Sequence, residues 1–143
     1  MVELSPNMQK FVVEVFPAIV GTKRRNSTVH MNPIWFEYDK GYFWLNSFVG
    51  SKWLENIKRD GEVTLALLDP NNMFRYAEVQ GKLVEATTEG GAEHIDRLSV
   101  RYTGQTYQRH MPNVQRVKIQ IEPVSISGSI DWQPPSEQAE EAK

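Results

Sequence analysis

Between residues 46 and 56 the sequence gathers short polar and cationic side chains: Asn46, Ser47, Ser51, Lys52 and Asn56. Ser51 stands where a helix can begin. A helix start presents free backbone N–H groups and the positive end of the peptide dipole. With the Lys52 ammonium beside it, that arrangement can hold an anion such as a phosphate. The same residues also make an ordinary capped surface helix with a solvated lysine, and residue types alone leave both readings open. A second cationic run, Lys23-Arg24-Arg25, is either a solvated turn or a landing site for a polyanionic tail. Arg75, between Phe74 and Tyr76, is either a packed ion-pair partner or a clamp for phosphate or carboxylate.

Other chemistries lack their residues. There is no cysteine, which excludes disulfides, thiolate catalysis and Cys-ligated zinc or iron–sulfur sites. The histidines, His30, His94 and His110, are far apart and lack metal-ligand spacing, so no metal site is expected. His94 is expected on a helix surface, His110 in a solvated loop, and His30 as a structural residue on a strand. No phosphate-cradling glycine motif is present, and no Ser, His and acid arrangement stands out, so no catalytic side chain is assigned. A formal net charge of -2 argues against general nucleic-acid binding, which draws on an excess of Lys and Arg.

The elements that must position these groups follow from local pattern. Ser5 and Pro6 open a short amphipathic helix with Met8, Phe11, Val12 and Val15 on its core face, ended by Pro17. Ala18 to Lys23 is a strand. Thr28 to Tyr38 and Tyr42 to Ser47 form a hairpin about Asp39-Lys40-Gly41, with Pro33 as an irregularity in the first strand. Ser51 caps a helix to Arg59, stopped by Asp60-Gly61. The apolar run Val63 to Leu68 suits a strand buried on both faces. Phe74 to Glu85 is a long strand with a bulge at Gly81, and Gly91 to Tyr102 a helix burying Ile95, Leu98 and Tyr102. In the last strand Val117, Ile119 and Ile121 alternate with Arg116, Lys118 and Gln120. Trp35, Trp44, Trp53 and Trp132 are expected in the core or an interface. The result is a mainly β fold of about six antiparallel strands with short helices (α+β), which closes best as a small barrel, with an open sandwich as the alternative. Residues 1–133 make one domain and 134–143 a solvated tail. With no signal peptide and no bilayer-spanning run, a cytoplasmic protein without membrane partners is expected.

Several segments resemble a known family. Asn32-Pro33-Ile34-Trp35-Phe36, a short turn and Phe43-Trp44-Leu45-Asn46-Ser47 resemble the first hairpin of the pyridoxamine-phosphate-oxidase-like, FMN-binding split β-barrels. Asn56-Ile57-Lys58-Arg59-Asp60 is similar to their N-L-R-R-D-P helix end. The run from Leu68 to Gly81, with Ala92 to Leu98 and Arg101-Tyr102-Thr103-Gly104, resembles one branch, the F420-dependent oxidoreductases. The chain departs from the pattern at Trp53, where a basic residue is common, and at Gly61, and it lacks the R-x-V-L-L-K of true pyridoxamine phosphate oxidases.

The resemblance implies a split barrel working as a homodimer, with a deazaflavin or flavin lying across the subunit interface. It implies that Met31, Asn32, Pro33 and Ile34 line the ring, that Asn46, Ser47, Lys52 and Asn56 hold the phosphate end with the helix opened by Ser51, and that Lys23, Arg24 and Arg25 meet the oligoglutamate tail of F420. The implied function is hydride transfer between coenzyme F420 and a small electron-poor organic acceptor. The alternatives are an FMN-dependent reductase or oxidase of the same fold, and a protein that stores or carries the cofactor without turnover.

Overall fold

The computed structural model describes residues 2–132, so the tail expected over 134–143 lies outside the described residues. Three helices start and stop on local signals. Ser5 Oγ accepts from Met8 N at 3.1 Å and opens α1 (Pro6–Val12). Ser51 Oγ accepts from Leu54 N at 3.3 Å and opens α2 (Lys52–Asp60), which Gly61 closes at φ 71°. Gly104, at φ 83°, closes α3 (Gly91–Thr103). α1 stops short of Pro17. Its last bond is replaced by a tight turn, Glu14 N to Phe11 O, within a β-branched run that disfavours another helical turn. Val15 therefore leaves the helix face assigned to it and stands 49% exposed.

The strands are β1 (Ala18–Lys23), β2 (Val29–Ile34), β3 (Glu37–Asp39), β4 (Tyr42–Phe48), β5 (Glu62–Asp69), β6 (Asn72–Thr87) and β7 (Arg116–Ser129). All pairings are antiparallel, in the order β2-β1-β5-β6-β7-β4-β3. The bulge expected at Gly81 is present as a register shift between Gln80 and Gly81. β5 corrects one expectation. Val63, Leu65 and Leu67 face the core, while Thr64 is exposed and Ala66 half-buried, so only one face is covered within the chain.

The larger correction is the expected strand Thr28 to Tyr38, which breaks at Trp35-Phe36. β2 pairs with β1 and β3 pairs with β4, so the two pieces lie on opposite edges of the sheet. Only Glu37 to Asp39 completes the hairpin with β4, across a Lys40-Gly41 turn with both residues at positive φ. The break dictates the architecture. Laid flat, six inter-strand spacings would separate the edges by about 29 Å. Ile34 and Glu37 are joined by a stretch of chain that reaches at most about 11 Å. The sheet must therefore roll until its edges nearly meet. It remains open there, which makes it a split barrel around Phe36, Phe43, Leu45, Leu65, Leu67, Ile119 and Ile121.

Tyr102 on α3 holds this seam. Its hydroxyl donates to Phe16 O at 2.5 Å and accepts from Phe36 N at 3.3 Å. Tyr102→Phe is expected to lower stability by about 1–3 kcal/mol, because two part-buried backbone groups lose their partner. Urea denaturation checks this, and an unchanged midpoint would show that water replaces the hydroxyl.

Candidate functional site

Two adjoining cavities hold most of the residues singled out in the sequence. The first, about 590 Å³, opens at the seam and is walled by Pro33, Ile34, Trp35, Phe48, Trp53, Ile95, Leu98, Tyr102 and Tyr107, with Asn32, Asn46, Ser47 and Arg116 as its polar groups. Trp35 stacks on Tyr102 at 5.5 Å between ring centroids and meets Tyr107 edge-on at 6.4 Å. The second, about 750 Å³, is lined by five cationic side chains, Arg24, Arg25, Lys52, Lys58 and Arg59, against one carboxylate, Glu55. His30 links the two. Its Nε2 lies 3.1 Å from Asn32 Oδ1 in the first cavity, and its Nδ1 lies 3.3 Å from Arg24 Nη2 in the second.

Asn32, Pro33, Ile34, Asn46 and Ser47 thus line the apolar cavity, while Arg24, Arg25, Lys52 and Asn56 line the basic one. Ser51 is buried between them, 2.5 Å from Ser47 Oγ through its own hydroxyl. Met31 and Lys23 lie elsewhere, in a third hollow of about 340 Å³ with Ile19, Thr64 and Ala66. Met31 alternates with Asn32 along β2 and so turns to the other face of the sheet. Arg75 is in none of these. It pairs with Glu14 at 2.9 Å and Asp69 at 3.2 Å and stacks over Phe11, so it is the packed ion-pair partner of the two readings offered for it.

Several polar groups are committed within the protein. Asn46 Nδ2 donates to Gly91 O at 3.0 Å, and its Oδ1 accepts from Arg116 Nε at 2.8 Å. Asn56 Nδ2 donates to Thr22 Oγ1 at 3.1 Å. These amides fix the walls. Lys52, exposed at the start of α2, lines the basic cleft and has no ion-pair partner among the described residues. Burial raises the Tyr102 phenol above its usual pKa, so it remains a neutral hydroxyl. Burial also lowers Arg116 below the usual arginine range.

His94 corrects the expectation of a surface histidine. It is 1% exposed, with Nδ1 3.1 Å from Asn46 Nδ2 and Nε2 3.3 Å from Glu37 Oε1. α3 approaches β7 closely enough at Gly91 to turn this face of the helix inward. Burial pushes the Glu37 carboxyl up, but contacts with His94 and Arg97 outweigh it and hold the pKa down to about 2. A carboxylate depressed in the folded state adds stability above its unfolded pKa, and that stability is lost as pH falls toward the folded value. Glu37→Gln is therefore expected to flatten the fall in stability between about pH 4.5 and 2, read by denaturation across that window. An equally steep fall in the variant would assign acid sensitivity to other carboxylates.

Sequence reasoning missed Trp35, Tyr102, Tyr107 and Arg116 as cavity residues. Trp35 and Tyr102 stand inside the segments that carry the resemblance. Tyr107, in the long loop before β7, has no local signal, and the alternation of β7 placed Arg116 only on the face away from the core. Among the described residues no group of His, Asp and Glu could hold a metal ion, and no helix is long and apolar enough to cross a membrane.

The fold and the sequence both have relatives. A structure of an F420 reductase superposes with a TM-score of 0.75 at 24% identity, covering 83% of this chain and 94% of that one. A conserved hypothetical protein from Mycobacterium tuberculosis gives 0.66 at 21% identity, over 88% of this chain and 84% of that one. A FAD-binding protein from Mesorhizobium loti gives 0.64 at 12% identity, over 86% and 92%. At these identities the likeness is one of fold. No curated protein matches the sequence. Residues 4–128, however, match the family model of pyridoxamine 5'-phosphate oxidase, and the split barrel agrees with it: the chain belongs to that family.

Proposed function

We propose that the protein is an oxidoreductase that binds coenzyme F420 and passes hydride to an electron-poor organic molecule. One observation carries this reading: an aromatic-walled cavity adjoins a cleft with five cations, and His30 joins them. A flat ring with a long polyanionic arm matches that pair of environments. The apolar cavity is within the range that accommodates such rings, about 300–1,000 Å³. When bound, a deazaflavin supplies the two-electron hydride chemistry itself. The chain's own residues then bind, orient and exclude water. Asn32, Pro33 and Ile34 border the ring, and Trp35, Tyr102 and Tyr107 wall it from solvent. Lys52 and the α2 N-terminus meet the phosphate. Arg24, Arg25, Lys58 and Arg59 attract the acidic tail, through charges that salt screens.

The reading includes a homodimer. Val29 and Met31 leave an apolar patch beside Ile19 and Ala66, with Met31 64% exposed, on the sheet face opposite Asn32. A second copy seated on that patch and reaching around the edge strand β2 would also border the ring site. Met31→Glu is expected to yield a monomer by light scattering and to weaken cofactor binding; a dimer that persists would move the interface elsewhere.

Titration with F420 and with FMN, followed by tryptophan fluorescence, tests the assignment, since Trp35 and Trp53 line the cavity. Tight F420 binding that weakens with salt is expected. Preference for FMN would place the protein with the flavin enzymes of the fold, and binding of neither would remove the proposal.

A further inference from the structure

The seam cavity has one charged side chain in its lining, Arg116. Other arginines that are partly buried have acceptors. Arg75 pairs with Glu14 and Asp69, and Arg101 donates to the carbonyls of Val13, Glu14 and Phe36. Arg116 has only the amide of Asn46, on its Nε at 2.8 Å, and no carboxylate among the described residues. Its guanidinium lies 5.3 Å from the Tyr107 ring centroid and 5.9 Å from that of Phe48. A cation drawn out of water without a counter-ion is unfavourable unless something compensates it. The Asn46 bond leaves both terminal amino groups free and fixes the direction of the fork. That geometry suits two parallel bonds to a carboxylate. Beside it, the stacked pair Trp35 and Tyr102 presents flat aromatic surface.

We infer that Arg116 holds the carboxylate of a flat aromatic acceptor, so that the seam cavity selects aromatic acids over their neutral analogues. This deepens the function proposed above and rests on it. Asn46 is a positioning residue in this arrangement. It aims the fork and, through Gly91 O, ties that aim to α3.

The test uses 2-naphthoate and 2-naphthamide, titrated by calorimetry into the F420-loaded protein. The two probes share one ring system and differ in charge. The acid is expected to bind about tenfold or more tightly than the amide. Arg116→Gln should abolish that preference, and Arg116→Lys, which keeps the charge and loses the fork, should retain part of it. The wild-type comparison needs no variant to fold. Equal affinity for the two probes, or a preference that survives Arg116→Gln, would overturn the inference. So would loss of naphthoate binding on F420 loading, because the guanidinium would then serve the cofactor. Failure of the cofactor reading shows separately, as absence of F420 binding. The probe pair run on cofactor-free protein still reports on Arg116 in that case.

Discussion

Gly91→Ala is expected to destabilise the protein by about 3 kcal/mol or more, the upper end of overpacking effects. A Cβ at Gly91 would lie 2.1 Å from the carbonyl oxygen of Arg116 and 2.6 Å from its carbonyl carbon. Both are strand backbone, so no side chain can swing aside. α3 would have to lift off β7, and the bond from Asn46 to Gly91 O would go with it. Gly104→Ala is the control. Gly104 has a positive φ but nothing within 4 Å of a Cβ. Its substitution should cost only the strain of a left-handed residue, about 1–2 kcal/mol. Urea denaturation of both variants separates the two origins. A Gly91 variant no worse than the Gly104 variant would mean that the helix and strand are not in close contact.

Lys52→Ala is expected to weaken F420 binding about tenfold or more, the usual effect of losing a hydrogen bond to a charged group. The unfolding midpoint should stay unchanged, since Lys52 is exposed and has no ion-pair partner among the described residues. The loss should shrink as salt is raised, because screening weakens the same contact in the unaltered protein. Calorimetry at two ionic strengths checks both statements. Unchanged affinity would return Lys52 to the role of a solvated lysine on a capped helix.

What was legible in the sequence was what local chemistry decides. Ser5 and Ser51 open helices and Gly61 and Gly104 close them because caps act over a single turn. The bulge at Gly81 was legible because a glycine inside a strand pattern marks such an irregularity. The break after β2 was not legible. Trp35 and Phe36 look like strand residues, and what interrupts them is Tyr102, 66 positions from Phe36 in the chain. The site divides the same way. Asn32 and Ile34 reach the cavity along β2, whose alternation is visible, while Asn46 and Ser47 stand at the end of β4, where the alternation lapses. Arg116 and His94 owe their surroundings to the close passage of α3, which no pattern within either segment announces. Met31, which the resemblance groups with Asn32, Pro33 and Ile34, turns its side chain to the other face of β2.

The girth of a closed barrel is set by its strand number and stagger, and changing it means breaking main-chain hydrogen bonds. Here the circumference is completed between β2 and β3 by side chains, with the Tyr102 hydroxyl as its clasp. Across the seam the two edges are joined by the short Trp35-Phe36 link and by side-chain contacts, with no ladder between them. Widening there would cost the two bonds of the Tyr102 hydroxyl, whereas deforming the far wall would cost the ladders that join β5, β6 and β7.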